Sequence, residues 1–254
     1  SVEGHAAMLL QAPFDKGSRP PLAQSFRHLA SNELVTVSIN HFKSKGSCPK
    51  DSSHPDANRG DGQGCWNALR TKAAAALSSW LAGQPTGVKT DKQIILGDFN
   101  AYRMEDPIRM LEQHNWQYLT AADGVQYSYV FDGRTGSLDH ALASPALAAK
   151  LSQMQHWPIN ADEPTVLDYN MEYKSARQQQ SLYAPTPYRS SDHDPLLAHR
   201  HGDAGHTGVG DGGHRGLSVR LRASGNGRPR LQRGVRGFPA MPRHGPWHSG
   251  GQTD

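Results

Sequence analysis

The segment Gln93-Ile94-Ile95-Leu96-Gly97-Asp98-Phe99-Asn100 places an acid and an amide directly after a short apolar run. The run predicts a buried strand, with the polar side chains at its carboxyl end. Similar side chains end three other β-prone runs, in Asn40-His41-Phe42-Lys43, Leu138-Asp139-His140 and Ser191-Asp192-His193-Asp194-Pro195. Because α/β proteins gather catalytic groups in loops at strand ends, this pattern predicts an α/β fold with one site at those ends.

Regular patterns predict further elements between residues 20 and 200. Residues 66–81 have apolar side chains at helical spacing, and Asp106 before Pro107 predicts the capped start of a second helix over 107–114. Alternation predicts strands at 33–40, 126–131 and 137–143, the last two joined by a hairpin turn. A short helix at 145–151 and a strand from Pro195 are also predicted. Residues 1–19 show no clear pattern, and no strand is expected before Glu33.

The residue types at these strand ends suit one kind of chemistry. Hydrolysis of a phosphodiester needs an activated water, neutralised charge on the phosphoryl oxygens and a stabilised leaving oxygen. Two histidines, three aspartates and one asparagine converging at one sheet edge could supply these functions with the help of a metal ion. The six residues are His41, Asp98, Asn100, Asp139, Asp192 and His193.

The order and spelling of the four segments resemble the endonuclease/exonuclease/phosphatase superfamily, from about Pro20 to Leu197. Residues 40–49 (NHFKSKGSCP), 61–67 (DGQGCWN) and 127–133 (YSYVFDG) resemble its bacterial extracellular nucleases. The resemblance implies a two-sheet sandwich flanked by helices, the four-layer form typical of DNase I. It also implies a divalent-metal-dependent nuclease that is secreted or periplasmic.

The resemblance also implies a role for each site residue. Asp98 orients or deprotonates the attacking water, and Asn100 presents an amide N–H to a phosphate oxygen. His193 is the catalytic histidine, with Asp139 as the carboxylate that fixes its tautomer. His41 contacts the phosphate or the leaving group. Asp192, together with Asp98, would bind Mg²⁺, or Mn²⁺ or Ca²⁺, since hard cations favour oxygen ligands.

Simpler structural interpretations compete with these roles. The Asp98–Asn100 pair could form an Asx turn, and Asp139 could be a turn residue at a strand edge. Asp192 and Asp194 could cap the loop before Pro195, which is the role we expect for Asp194.

The two cysteines, Cys48 and Cys65, bracket a polar loop. We expect them to form a disulfide, which would stabilise the fold by about 3 kcal/mol in the chain-entropy model. Such bonds persist in oxidising compartments, in agreement with export. Two unpaired surface thiols are the alternative. The sequence shows no signal peptide and no transmembrane run.

The chain departs from the superfamily upstream of its first histidine motif. An Asn and a metal-binding Glu should lie upstream of it, but only about 33 residues precede the strand that leads to His41, and Glu3 lies in the wrong context. The expected organisation is therefore an unpatterned segment (1–19), a partial catalytic domain incomplete at its N-terminus (20–200) and a tail (201–254). Such a fragment should have reduced or no activity.

The tail changes the composition of the chain abruptly. It holds 14 of the 26 glycines and eight arginines against three aspartates, so residues 1–200 carry 19 basic and 20 acidic residues. The net charge of +4 therefore belongs to the tail and does not indicate a basic groove in the core. The tail could be a disordered nucleic-acid-binding segment, a flexible linker or an out-of-frame translation, and we favour the last.

The sequence thus predicts a nuclease whose partner is nucleic acid, DNA rather than RNA, with no membrane partner. The oligomeric state and the mode of cleavage, endo or exo, stay open. A phosphatase or phosphodiesterase of the same superfamily, acting on lipid or small phosphates, is the alternative enzyme. A non-catalytic nucleic-acid-binding fragment is the alternative outside the enzymes.

Overall fold

The computed structural model describes residues 1–15, 17–121, 127–168 and 170–200, and the predicted tail lies outside them. The strands are β1 (Val2–Met8), β2 (Arg19–Arg27), β3 (Leu34–His41), β4 (Gln93–Asp98), β5 (Gln117–Tyr118), β6 (Tyr129–Phe131), β7 (Arg134–Gly136), β8 (Asp139–Ala143), β9 (Leu151–His156) and β10 (Leu196–Arg200). The helices are α1 (Asn67–Ala82), α2 (Asp106–Gln113), α3 (Pro145–Ala148) and α4 (Ala176–Ser181), with a 3₁₀ turn at Thr165–Leu167. The predicted α/β class is confirmed. No helix in the described ranges is long and apolar enough to span a bilayer.

A six-stranded sheet in the order β1-β2-β3-β4-β8-β5 forms the centre of the fold. Strands β3 and β4 are parallel, with α1 in the connection between them, and β8 is antiparallel to β4. The carboxyl ends of β3 and β4 and the amino end of β8 therefore meet at one edge of the sheet. This edge is where the predicted site residues should lie.

Both faces of the central sheet are covered, so its middle strands are buried. On one face, Ile95 and Leu142 pack with apolar residues of α1 and α2. On the other face, Ile94 and Leu96 pack with residues of β9 and β10, which form a separate two-stranded sheet. Burial on both faces explains why β4 is a continuous apolar run. The helical layer and the second sheet agree with the predicted architecture, while the full four-layer sandwich stays a prediction.

The structure corrects the interpretation of the N-terminal residues. Strands β1 and β2 both precede Glu33, so the expectation that no strand does so is wrong, and residues 2–8 of the unpatterned segment are β1. An edge strand is held by backbone pairing and needs no alternating apolar residues, which is why β1 left no pattern. Its side chains are mostly exposed, and Glu3 pairs with Arg27 of β2 at 2.8 Å.

Two further local predictions are wrong. The strand around Tyr129 pairs with β7 in a tight hairpin, whereas β8 pairs with β4 and β5, so the predicted hairpin between residues 126–131 and 137–143 does not form. Central strand β8 gains more from burial in the main sheet than from pairing with its sequence neighbour. At α2, Glu105 is the N-cap residue and Asp106 lies in the first turn.

The predicted disulfide is confirmed, since Cys48 and Cys65 are bonded with their Cα atoms 5.4 Å apart. The side chain of Arg70 in α1 is fully buried beneath this loop. Its guanidinium donates hydrogen bonds to the carbonyls of Cys65 at 2.8 Å and Gln63 at 3.0 Å. A charge that donates to loop carbonyls satisfies their buried lone pairs. The disulfide and Arg70 thus hold the end of the loop against α1.

Candidate active site

Strand register brings three predicted residues into one row. His41 at the end of β3 pairs with Asp98 at the end of β4, and Asp98 pairs with Asp139 at the start of β8. His41 Nε2 lies 3.4 Å from Asp98 Oδ2. Since the side chains of directly paired residues point to the same face, the three polar groups are neighbours although they are far apart in the chain.

The turn after β4 fixes Asp98 and Asn100. Gly97 has φ +134°, and a Cβ there would lie 2.1 Å from the Asn40 carbonyl oxygen, so only glycine allows β3 and β4 to approach this closely. The Asn100 backbone N–H donates to Asp98 Oδ1 at 2.7 Å, which is the Asx turn considered as the structural alternative. Its side-chain amide donates to Asp98 Oδ2 at 3.1 Å and to the Phe42 carbonyl at 3.0 Å. The hydrogen bonds from Asn100 therefore fix the Asp98 carboxylate at the sheet edge.

His193 and Asp139 form a hydrogen-bonded pair. His193 Nδ1 donates to Asp139 Oδ2 at 2.6 Å, and the Ser128 hydroxyl donates to the same oxygen at 2.6 Å. A carboxylate on Nδ1 fixes the ring orientation and leaves Nε2 as the atom that can face a substrate. The predicted proximity of Asp98, Asn100, Asp139 and His193 is therefore what the structure shows.

The two remaining acids of the last segment differ in environment. The Asp194 carboxylate is buried, and its Oδ1 accepts backbone N–H groups of Ile159, Asn160 and Ala161 at 2.8–3.1 Å. Asp194 therefore caps a loop, as expected. The Asp192 side chain is 53% exposed, with Oδ2 4.0 Å from His193 Nε2. Asp192 therefore lies at the solvent-exposed edge of the site, and its role in metal binding stays a prediction.

A cation would fit the chemistry of this cluster. Asp98, Asp139 and His193 each have a possible ligand atom, all within 4.8 Å of one another. Asp98 is buried beside a second carboxylate, an arrangement in which a bound divalent cation would relieve the repulsion between like charges. Asp98 accepts hydrogen bonds from Asn100 at both oxygens, and Asp139 accepts from His193 and Ser128 at Oδ2. A cation would therefore use the remaining lone pairs of these carboxylates, with Asp192 at the edge of the site.

The same environment shifts three pKa values. Burial, and then the Asp139 charge, hold the pKa of Asp98 well above its usual range. Burial lowers the pKa of His41 to about 4, with help from the Arg19 and His193 charges. Burial also opposes the charge of His193, but the hydrogen bond and charge of Asp139, with Asp98 and Asp192, outweigh it and raise the pKa of His193 to about 9. The two histidines are therefore held in opposite protonation states at neutral pH.

Three residues join the site without having been predicted. Arg19, paired with His41 in the sheet register, has Nη1 3.0 Å from His41 Nε2. Ser128 bonds Asp139, and the ring of Tyr129 lies 4.5 Å from that of His193. Ser128 and Tyr129 belong to the YSYVFDG stretch, which could have drawn attention to them. Arg19 lies in the stretch that showed no pattern, so nothing in the sequence indicated it.

His140, beside Asp139, points to the opposite face of β8. Its Nε2 donates to the Ala101 carbonyl at 2.7 Å, and its Nδ1 accepts from the Tyr118 hydroxyl at 2.9 Å. The ring is fully buried, and burial lowers its pKa to about 4. The neutral imidazole, with a hydrogen bond at each nitrogen, thus holds the segment after Asn100 through the Ala101 carbonyl.

Comparison with known proteins gives matches to a family and to solved structures. The model of the Endonuclease/Exonuclease/phosphatase family matches residues 16–193. No curated protein sequence matches the chain. Among solved structures, the human nocturnin catalytic domain has a TM-score of 0.41 at 16% identity, over 60% of this chain and 50% of its own.

Two bacterial structures give similar values. Staphylococcus aureus beta toxin has a TM-score of 0.44 at 15% identity, over 70% of this chain and 56% of its own. An endonuclease/exonuclease/phosphatase protein of Bacteroides vulgatus has a TM-score of 0.45 at 12% identity, over 78% and 64%. The chain thus spans between half and about two thirds of these structures. With a family model matching 178 of its 254 residues, the chain belongs to the endonuclease/exonuclease/phosphatase family.

Proposed function

We propose that this site hydrolyses phosphodiester bonds of nucleic acid, preferably DNA, with the help of a divalent cation, and that the protein acts outside the cytoplasm. The observation that carries the proposal is the meeting of Asp98 with the Asp139–His193 pair at one sheet edge. A buried carboxylate, an oriented imidazole and a nearby cation are what in-line attack of water on a phosphodiester requires.

Each side chain has a place in this reaction. Asp139 holds His193 through Nδ1, so that Nε2 can donate to a phosphoryl or leaving oxygen. Asp98 is the acceptor for the proton of the attacking water, because its carboxylate lies between His41 and the Asp139–His193 pair at the sheet edge. His41 and Arg19 lie on the other side of Asp98 and would contact the phosphate.

A divalent cation would be held by Asp98, and by Asp192 from the rim, and would neutralise the developing charge on the phosphoryl oxygens. Hard oxygen ligands favour Mg²⁺, Mn²⁺ or Ca²⁺. Since the described residues offer few carboxylates within reach of one ion, we expect weak metal binding and slow turnover by this chain.

Two features support a nuclease rather than a phosphodiesterase acting on lipid. The stretch YSYVFDG and the long loop closed by Cys48 and Cys65 are those that resemble extracellular nucleases. A disulfide also agrees with an oxidising compartment. The lipid phosphodiesterase is kept as the rival, because the same catalytic groups would serve both substrates.

The test compares substrates and one pair of variants. Purified protein is incubated in excess over plasmid DNA, single-stranded RNA or sphingomyelin vesicles, with millimolar Mg²⁺ or Mn²⁺ or with EDTA. We expect slow, metal-dependent cleavage of DNA that His193→Ala abolishes, while the exposed His114→Ala retains it. Faster hydrolysis of the lipid than of DNA would refute the nuclease assignment. Equal cleavage by His193→Ala would refute the site.

A further inference from the structure

Two exposed aromatic side chains and one partly buried one lie beside the proposed catalytic groups. Phe131 is 64% exposed, Tyr102 is 42% exposed, and Tyr129 is partly buried between Phe131 and His193. We call these three residues the aromatic rim. None of them has a role in the proposed hydrolysis, so their exposure requires another explanation.

The hairpin of β6 and β7 attaches one side of the rim firmly to the site. Tyr129 forms a backbone bridge with His193, and the Asp194 N–H donates to the Ser128 carbonyl at 2.8 Å. The Tyr129 and His193 ring centroids are 4.5 Å apart. Phe131, two residues further along β6, lies on the same face, with its ring 6.3 Å from that of Tyr129 and nearly parallel to it, at 13°. Two aromatic faces therefore extend outward from the catalytic histidine.

Tyr102 completes the rim from a different segment of the chain. It follows the Asp98–Asn100 turn, and its ring packs on the hairpin at Gly136, where a Cβ would lie 2.4 Å from Tyr102 Cε1. The Lys45 ammonium, which is ion-paired with Glu105, lies 4.5 Å from the Tyr102 ring centroid. The glycine thus allows an aromatic ring to close against the hairpin, and the Lys45–Glu105 ion pair lies beside that ring.

We infer that the aromatic rim binds a nucleobase of the substrate strand next to the scissile phosphate, an inference that rests on the proposed nuclease function. Every base has a flat π-face, so stacking on such rings would position a strand without selecting its sequence. The rim adjoins the groups that would hold the phosphate, since Tyr129 contacts His193 and Tyr102 follows the Asp98–Asn100 turn. These features fit a flat base attached to a phosphate better than they fit a flexible acyl chain.

The test measures binding apart from catalysis. Fluorescence anisotropy in EDTA compares a labelled single-stranded DNA oligonucleotide with one of the same length and charge whose central nucleotides are abasic. Phe131→Ala should weaken binding of the base-bearing oligonucleotide by about 5- to 100-fold, the range for loss of one aromatic–base stack. It should leave binding of the abasic oligonucleotide unchanged. Phe131→Leu, which keeps the apolar volume, should behave like Phe131→Ala, and Phe131→Trp should restore binding.

Tyr183→Ala is the matched control, because Tyr183 is 77% exposed and lies outside the rim. It should bind both oligonucleotides as the wild type does. Equal losses for the two oligonucleotides in Phe131→Ala, or full binding by Phe131→Leu, would overturn the stacking role. The stacking role would also be overturned if Phe131→Ala weakened binding to phosphatidylcholine vesicles and left oligonucleotide binding unchanged. That result would assign the rim to a lipid surface.

The failure of this inference can be told from failure of the proposed function. If the wild type cleaves DNA but its binding does not depend on the bases, the rim is not a base-binding site and the nuclease stands. If the wild type neither binds nor cleaves nucleic acid, both are refuted.

Discussion

Replacing Asp139 by Asn tests whether this carboxylate controls the protonation of His193. The substitution keeps the shape of the side chain but removes the charge that accepts the 2.6 Å hydrogen bond from Nδ1. In the folded wild type the pKa of His193 is about 9, against an ordinary value of 6.5. At 1.36 kcal/mol per pH unit this difference is worth about 3 kcal/mol. The side chain is only 12% exposed, so solvent screening reduces this figure little.

The sign of the stability effect follows from the raised pKa. A histidine whose pKa is higher in the folded state stabilises the fold fully below pH 6.5 and loses that contribution as the pH rises through about 9. In Asp139→Asn, burial still lowers the pKa of His193, but the Asp139 charge that raised it is gone. The pKa of His193 should therefore fall toward 6.5 or below. The free energy of unfolding should then vary by about 3 kcal/mol less than in the wild type between pH 6 and 9.5.

The assay is an NMR titration of the histidine ring protons in EDTA, with the His193 signal assigned by its loss in His193→Gln. Urea unfolding at several pH values gives the stability, and DNA cleavage should drop by up to about 10⁴-fold, as in an Asp-His pair that loses its carboxylate. Asp162→Asn, at an exposed acid that accepts a hydrogen bond from the Tyr127 hydroxyl, is the control. An unchanged His193 pKa in Asp139→Asn would refute the reasoning.

Three further predictions concern the framework of the site. Gly97→Ala should lower the free energy of unfolding by more than about 2 kcal/mol, because its Cβ would collide with the backbone of the neighbouring strand, while Gly46→Ala, whose Cβ would lie 4.0 Å from the Ser44 hydroxyl, should change it little; equal melting temperatures would contradict this. Replacing Cys48 and Cys65 together by Ser should cost about 3 kcal/mol in urea unfolding, and a loss near zero would show that the loop is held by other contacts. Leu77→Ala, in the core between α1 and the sheet, should cost about 2–5 kcal/mol, measured by the same method, and a smaller loss would mean that the core collapses around the cavity.

Much of the local structure could be read directly from the sequence. Helix α1 and strand β4 form within one or two residues of their predicted bounds, because apolar spacing over one segment depends on that segment alone. The position of Asp98 at the end of β4, and the disulfide, were predicted for the same reason: each follows from a motif within a short stretch. His193, in contrast, lies in the loop before β10 and does not end a strand.

Strand pairing was harder to predict from the sequence, since it depends on segments that are distant in the chain. The sequence suggested that β8 pairs with its neighbour around Tyr129, but burial against β4 decided otherwise. Edge strand β1 left no signal, because an exposed strand needs no apolar alternation. Arg19 beside His41, and the ring of Tyr129 against His193, arise only from register between such strands.

The sequence by itself therefore determined the chemical groups, their places at strand ends and the family they resemble. Only the tertiary structure decided which further residues, such as Arg19 and Tyr129, join these groups, and which protonation state each group favours. The physical reason is that residue type and local spacing are properties of one segment. Register, burial and the electrostatic field of a neighbour exist only after β3, β4 and β8 have packed side by side.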